Sequence, residues 1–323
     1  LFRFKIQKMK IAVITPVSHL QGINSLLESK GNVFYLENNP TKLEVKSLLE
    51  IEKIDTIVCN PNQQTYKIDE ELLQGTNVNL INTCSTGMNH IDVEYCKKQN
   101  IKILSLTKDY ELIKQLPSTS ELAFGLMMSL LRSIPQSKQH VSEYNWDYTP
   151  FVGREVKSLT IGIVGYGRLG KMMHDYCKAF GADVKVYDPY KREEMDDAFL
   201  LNTYCSLTDM FEQCDVISLH VHVTPETKYM INKKILGYSK KSPYIINTSR
   251  GEIVNEQDIV EALKNKVISG YGADVVENEF DDLQSSPIIQ AMNREENIIV
   301  TPHIGGMTIE GQTRAYKWAI NKL

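Results

Sequence analysis

Residues 160–180 read TIGIVGYGRLGKMMHDYCKAF. A five-residue apolar run leads into Gly165, Gly167 and Gly170, spaced G-x-G-x-x-G, and a helix-like segment follows. In a strand–turn–helix of this kind the first glycine makes the tight turn. The second lets a pyrophosphate approach the backbone, and the third lets helix and strand pack closely. The phosphates then meet the positive end of the helix dipole. The next apolar run, DVKVYD (183–188), ends in Asp188, eighteen positions past Gly170. A carboxylate there accepts hydrogen bonds from ribose hydroxyls and repels a 2′-phosphate, so the expected cofactor is NAD rather than NADP. Lys191 and Arg192 follow closely. They read either as a partial offset to that charge or, with the acidic run EEMDD beside them, as a solvated face.

Further apolar runs on either side alternate with helix-length segments. Downstream are DVISLHV (215–221), YIINTS (244–249), SGYGADV (269–275) and NIIVT (297–301). Upstream are IAVIT (11–15), TIVCN (56–60), NLINT (79–83) and IKIL (101–104), with helical patterns around 20–29 and 92–99. Runs apolar on both faces indicate covered parallel strands. Two doubly wound α/β domains are therefore expected. Between the two series lies STSELAFGLMMSLLRSIPQSKQ (118–139), too apolar for a surface helix. It reads as a core or subunit-interface helix with a break at Pro135. The last residues, from Ile309, look helical and come after the second series is complete.

The chain has 323 residues, 42% of them hydrophobic, and a net charge of -4. That length favours two domains. The charge offers no field for nucleic acid or an anionic membrane. Six cysteines without a C-x-x-C pair read as thiols of a reducing, cytoplasmic compartment. The basic N-terminus precedes an apolar run too short for a signal peptide or membrane span. Met9 reads as a natural start, leaving residues 1–8 as an extension.

Three stretches near strand ends carry chemistry. NTSRGEIV holds Arg250, GADVVENEF holds Asp274 and Glu279, and TPHIGG holds His303. Doubly wound sheets bind ligands at the carboxyl ends of their strands. An arginine can grip a carboxylate through two parallel hydrogen bonds. A histidine can pass a proton in either direction near neutral pH, and a nearby glutamate can orient it and stabilise its charged form. Beside a nicotinamide, these groups suit hydride transfer at a carbon bearing a hydroxyl and a carboxylate. Taken singly, Arg250 reads rather as a surface or ion-pair residue, Glu279 as merely one acid among several and His303 as a satisfied loop histidine. No second His or Cys stands at metal-ligand spacing from His303, so no metal is expected.

With these motifs in hand, the sequence resembles the D-isomer-specific 2-hydroxyacid dehydrogenases over nearly the whole chain from Met9. GYGRLG with VYDPY, HVHVTPETKYMIN, NTSRG, DVVENE and TPHIGG fall in the family's order. CSTGMNHID resembles its substrate loop, and STSELAFGLMMSLLRSIP its interdomain and dimer helix. The resemblance implies a Rossmann cofactor domain (114–305) inserted into a flavodoxin-like substrate domain built from 9–113 and 306–323. Arg250 would bind the substrate carboxylate, His303 would be the acid/base and Glu279 its partner. Arg168 and Leu169 would lie under the pyrophosphate and Asp188 at the ribose. Asp274 would face the nicotinamide carboxamide, with Thr119, Thr224, Thr248, His303 and Gly305 also at the cofactor. Backbone amides around Ser85, Thr86 and Gly87 would help hold the substrate carboxylate.

Departures narrow the reading. Glu279 is followed by Phe280 rather than the family's usual proline. Asn60 stands where phosphoglycerate enzymes of the family carry an arginine, which counts against a phosphorylated substrate. Thr86 replaces the lysine of phosphite-oxidising relatives, and Glu279 the glutamine of formate dehydrogenases. The expectation is an NAD-dependent dehydrogenase interconverting a small D-2-hydroxy acid and its 2-keto acid. It would be a homodimer, with no nucleic-acid or membrane partner. Tyr144, Trp146 and Tyr148 read equally as pocket lining supplied to a partner subunit and as packing at the dimer surface. The alternative is an NAD(H)-sensing, corepressor-like binding protein on the same fold.

Overall fold

The parallel sheets follow from strands whose two faces are both apolar. In the computed structural model β1 spans Met9–Val13. Ile11 and Val13 join one core with Ile23, Leu27, Tyr316 and Ala319, while Ala12 joins a second with Val45, Leu49 and Ile57. This alternation is the two-residue period of a pleated strand feeding a core on each side. The structure describes residues 8–61, 66–191, 199–200, 203, 205–279, 282–294 and 297–323. Residues 1–7 of the expected extension, Arg192, the acidic run 193–197 and Phe280 lie outside the described residues.

The chain divides into two units, Leu1–Leu116 with Gly306–Leu323, and Pro117–Gly305. In the first, β1 is joined by β2 (Gly31–Tyr35), β3 (Thr56–Cys59), β4 (Leu80–Thr83) and β5 (Lys102–Leu104). All pairs are parallel and the order is β2-β1-β3-β4-β5. The C-terminal helix Ile309–Ile320 is tied to this sheet by polar as well as apolar contacts. Asn82 Nδ2 donates to the Ala319 carbonyl at 2.9 Å, and the hydroxyls of Thr15 and Tyr316 lie 2.9 Å apart. Strand β2 is not among the sequence-derived strands. Its GNVFY sequence occupies the sheet edge and is only half-buried, so it lacks the two-sided apolar signature of its neighbours.

The second unit holds β6 (Thr160–Val164), β7 (Asp183–Tyr187), β8 (Val216–Leu219), β9 (Tyr244–Asn247), β10 (Gly270–Ala273) and β11 (Ile298–Val300). They form one parallel sheet in the order β11-β10-β9-β8-β6-β7. The chain leaves β6 to one side for β7 and returns on the other for β8. The carboxyl end of β6 is therefore the switch point at which such sheets open a binding crevice. The helix Ser118–Leu131 buries Ala123, Leu126, Met127 and Leu130 against Ile161, Ile163 and Ile246, as a core helix does. It ends at Leu131, earlier than Pro135. Ser133 turns the chain with φ 48°, and Pro135 sits in the first turn of a new helix, Ile134–Ser142. A proline is favoured there because its missing N–H would be unpaired in any case. Beyond this helix Tyr144, Trp146 and Tyr148 are 99%, 92% and 80% exposed. No helix among the described residues is long and apolar enough to cross a membrane.

Candidate active site

The three glycines after β6 each meet a different physical demand. Gly165 has φ 90°, and a Cβ there would lie 2.5 Å from the His220 carbonyl oxygen. A Cβ on Gly170 would lie 1.9 Å from the carbonyl of Gly165, so only a bare backbone lets the helix Arg168–Ala179 start this close to the turn. A Cβ on Gly167 would meet nothing within 4 Å. Gly167 caps the helix without a side-chain hydrogen bond, so its first turn presents backbone N–H groups to open space. That is a fit for a pyrophosphate. Leu169 is anchored through its carbonyl, which accepts Ser120 Oγ at 2.9 Å. Arg168 is partly buried, and desolvation lowers its pKa, though a guanidinium keeps its charge at neutral pH.

Asp188 follows β7 beside this turn. Its Oδ2 accepts the Tyr166 N–H at 2.7 Å, and its Oδ1 accepts those of Tyr190 and Lys191 at 3.0 and 3.2 Å. Main-chain donors thus fix the carboxylate next to the glycine loop. After β8, Thr224 forms a turn in which its N–H donates to Thr227 Oγ1 at 2.7 Å. After β9, Thr248 is 7% exposed, and its buried Oγ1 has no hydrogen-bond partner among the described residues. An orphaned hydroxyl of this kind suits a ligand atom.

Arg250, Glu279 and His303 follow β9, β10 and β11, three adjacent strands, on their carboxyl side. Arg250 is half-buried, and its Nη1 donates to the Ser249 carbonyl at 2.6 Å. Asn247 Nδ2 donates to the Arg250 carbonyl at 2.9 Å, which fixes the backbone below the guanidinium. A Cβ on Gly251 would lie 2.1 Å from the Glu277 nitrogen, so the β9 loop packs directly on the β10 loop. His303 Nδ1 lies 3.0 Å from both Glu279 carboxylate oxygens. An ionised carboxylate can only accept, so Nδ1 carries the donated hydrogen. Nε2 is then the ring nitrogen whose chemistry allows proton exchange with a substrate oxygen.

Asp274, at the end of β10, is 1% exposed. Its Oδ1 accepts Thr301 Oγ1 at 2.5 Å and the Ile304 N–H at 2.8 Å, and its Oδ2 accepts the Gly305 N–H at 2.7 Å. Burial raises its pKa, and those three donors together with His303 offset the rise only in part. Its visible work is therefore to hold the loop that carries His303. A Cβ on Gly305 would come within 2.9 Å of Asp274 Oδ2 and 3.2 Å of Thr119 Oγ1, which places Thr119, Asp274 and Gly305 together. Sequence reasoning passed over Thr301 and Ser120, whose hydroxyls anchor the loop and the glycine turn. Ordinary Ser/Thr codes carry no signal for such roles.

Ser85, Thr86 and Gly87 form a loop after β4 in the first unit. Ser85 Oγ donates to the Gly87 carbonyl at 2.7 Å, and the Ser85 carbonyl accepts the Leu106 N–H at 2.9 Å. Among the described residues no cluster of three or more His, Cys, Asp or Glu side chains could hold a metal.

Comparison with known proteins places this geometry. Residues 124–305 match the family model described as "D-isomer specific 2-hydroxyacid dehydrogenase, NAD binding domain". The glycine turn and its helix thus lie in an NAD-binding domain. The chain is 32% identical to the D-3-phosphoglycerate dehydrogenase of Bacillus subtilis over 247 residues, 76% of this chain and 45% of that protein. It therefore spans less than half of that relative's length. It is 30% identical to the hydroxypyruvate reductase of Thermotoga maritima, covering 86% of this chain and 87% of that one. Among solved structures, D-lactate dehydrogenase of Aquifex aeolicus, complexed with NAD and lactic acid, superposes with a TM-score of 0.75 at 27% identity. That superposition covers 97% of this chain and 93% of that one. On the family model and on the relatives it matches along most of their length, the chain belongs to the D-isomer specific 2-hydroxyacid dehydrogenase family.

Proposed function

We infer that the protein is an NAD-dependent dehydrogenase that interconverts a small D-2-hydroxy acid and its 2-keto acid. The observation that carries this reading is the His303–Glu279 pair, with Nδ1 3.0 Å from both carboxylate oxygens at the end of the sheet that bears the dinucleotide turn. When bound, the nicotinamide supplies or accepts the hydride. Arg250 holds the substrate carboxylate, and the amides of Ser85, Thr86 and Gly87 form a proposed carboxylate-binding loop of the first unit. Glu279 orients the imidazole and balances its charge. In the reductive direction His303 Nε2–H gives its proton to the keto oxygen, and in the oxidative direction Nε2 takes it back. Holding both reactants turns a bimolecular transfer into an effectively unimolecular one.

The cofactor would rest on Gly165, Gly167, Arg168, Leu169 and Gly170 through its pyrophosphate and on Asp188 through its ribose. Thr119, Thr224, Thr248, Asp274 and Gly305 would line the remainder. Asn60 carries no charge, so the substrate reading favours an unphosphorylated acid. The exposed Tyr144, Trp146 and Tyr148 suit cover by a second copy of the chain, and a homodimer is the assembly proposed. Trp146→Ser should then weaken the dimer in sedimentation, and an unchanged monomeric wild type would remove that part. Six free cysteines, five of them buried, fit a reducing cytoplasmic setting. The test of the function is NADH oxidation with a panel of short 2-keto acids and one phosphorylated keto acid for contrast. Tight NADH binding with no turnover of any keto acid would reject the enzyme reading and favour a sensor.

A further inference from the structure

Below the Ser85–Gly87 loop lies a chain of side-chain hydrogen bonds that the mechanism above does not use. His90 is fully buried. Its Nε2 is 3.1 Å from Thr83 Oγ1 and 3.6 Å from Cys59 Sγ. Thr83 Oγ1 is 2.8 Å from Ser85 Oγ, and Ser85 Oγ donates to the Gly87 carbonyl at 2.7 Å. Each hydroxyl has one proton to give, which fixes the direction of the whole chain. Ser85 spends its proton on Gly87, so Thr83 must donate to Ser85. Thr83 has then spent its own, so His90 must donate to Thr83 through Nε2–H. The imidazole is left with a bare Nδ1, and that atom has no partner among the described residues. Burial lowers the His90 pKa to about 4 and raises that of Cys59 to about 12, so histidine and thiol are both neutral. The backbone of His90 is pinned as well, since its carbonyl accepts the Ile68 N–H at 2.8 Å.

We propose that His90 is a positioning residue for substrate binding. Its Nε2–H starts a one-way relay, His90 to Thr83 to Ser85 to the Gly87 carbonyl. The relay turns that carbonyl inward and leaves the amides of Ser85, Thr86 and Gly87 facing outward as a carboxylate cradle. Those three amides donate to no acceptor among the described residues. A carbonyl swung outward in their midst would repel an anion, so the relay matters more for what it removes from the cradle than for the energy of any one bond. This inference rests on the reading of residues 85–87 as a substrate loop.

The experiment compares His90→Leu, Thr83→Val, Ser85→Ala and His90→Gln in the full chain. Gln can place an N–H near the position of Nε2, whereas Leu cannot. The first three variants should each raise KM for the 2-keto acid about tenfold, the weight of about one ordinary hydrogen bond, with kcat and NADH affinity nearly unchanged. The double variant His90→Leu with Ser85→Ala should be no worse than either single one, because both cut the same chain. His90→Gln should recover most of the loss. Nitrogen NMR of the wild type should show the Nε2–H tautomer, and amide relaxation should show the 85–87 loop loosened in His90→Leu. An Nδ1–H tautomer, or unchanged KM in all three cut variants, overturns the relay. If the wild type reduces no 2-keto acid, the functional reading falls, and the tautomer and the loop relaxation still decide whether the relay exists.

Discussion

The carbonyl of Asp274 accepts the N–H of His303 at 3.0 Å, while the Asp274 side chain grips Thr301, Ile304 and Gly305 around it. His303 sits in the left-handed region at φ 52°, a conformation that costs a non-glycine residue of order 1 kcal/mol or more and persists only where its surroundings enforce it. Asp274 supplies that enforcement from a fully buried carboxylate.

Asp274→Asn keeps the size but replaces one acceptor oxygen by a donor facing other donors. It is expected to cost about 1–3 kcal/mol of stability, the penalty of a broken buried hydrogen bond. It should also lower kcat by loosening the His303 loop. Thermal melts and turnover together check this. A variant with wild-type stability and rate would show that the loop holds itself.

Asp188 lies beside the glycine turn with its carboxylate fixed by three main-chain N–H groups. The wild type is therefore expected to prefer NADH to NADPH in kcat/KM, and Asp188→Ala to erode that preference by about tenfold or more as charge repulsion disappears. A wild type faster with NADPH would contradict the ribose assignment.

Arg250→Lys retains the charge but not the two-pronged geometry. A lost charge-assisted contact is expected to cost about 1.5–3 kcal/mol, roughly 10- to 100-fold in kcat/KM for the keto acid. NADH affinity should hold. Near-normal turnover by Arg250→Ala would take the substrate carboxylate away from this residue.

His90 gives a pH dependence of stability separate from activity. Its folded pKa is lowered from 6.5 to about 4 by burial. Between those values the unfolded chain binds a proton that the folded chain refuses. Stability is therefore fully present above pH 6.5 and drains away as pH falls towards 4. One histidine contributes at most roughly 1.4 kcal/mol per pH unit in that window. His220, lowered to about 4 by the same cause, adds to the slope. His90→Gln should flatten the acid side of a urea-midpoint profile. An unaltered slope would mean that His90 is solvated.

How much of this was legible depended on what the sequence spells out locally. Strands such as β6 and β8 announce themselves because both faces are apolar, and the glycine turn because three positions allow no side chain to intrude or leave room for a ligand. Strand β2 escaped because GNVFY is only half-buried and offers no run apolar on both faces. The helix break moved from Pro135 to Ser133 because a proline suits a helix start as readily as a helix end. The pairing of His303 with Glu279, 24 residues apart, could be anticipated only from the order of whole motifs. The relay from His90 to Thr83 could not be anticipated at all. Nothing in six intervening positions says that a loop folds back to bring them within 3.1 Å.

The His303–Glu279 pair carries the most demanding prediction. Reduction takes a proton from His303 Nε2, and hydroxy-acid oxidation returns one to it. His303→Ala should lose about 10²–10⁴-fold in kcat, the usual share of a positioned acid/base. NADH should still bind, because the glycine turn and Asp188 lie on other loops. Glu279→Gln keeps the shape but removes the charge 3.0 Å from Nδ1. An amide can also offer its N–H to the ring and so favour the wrong tautomer. Reduction should therefore suffer in Glu279→Gln, with little change in NADH affinity measured by fluorescence. A fully active His303→Ala enzyme would return His303 to an ordinary loop histidine. An unaffected Glu279→Gln enzyme would leave His303 catalytic but oriented by its left-handed backbone and Asp274 alone.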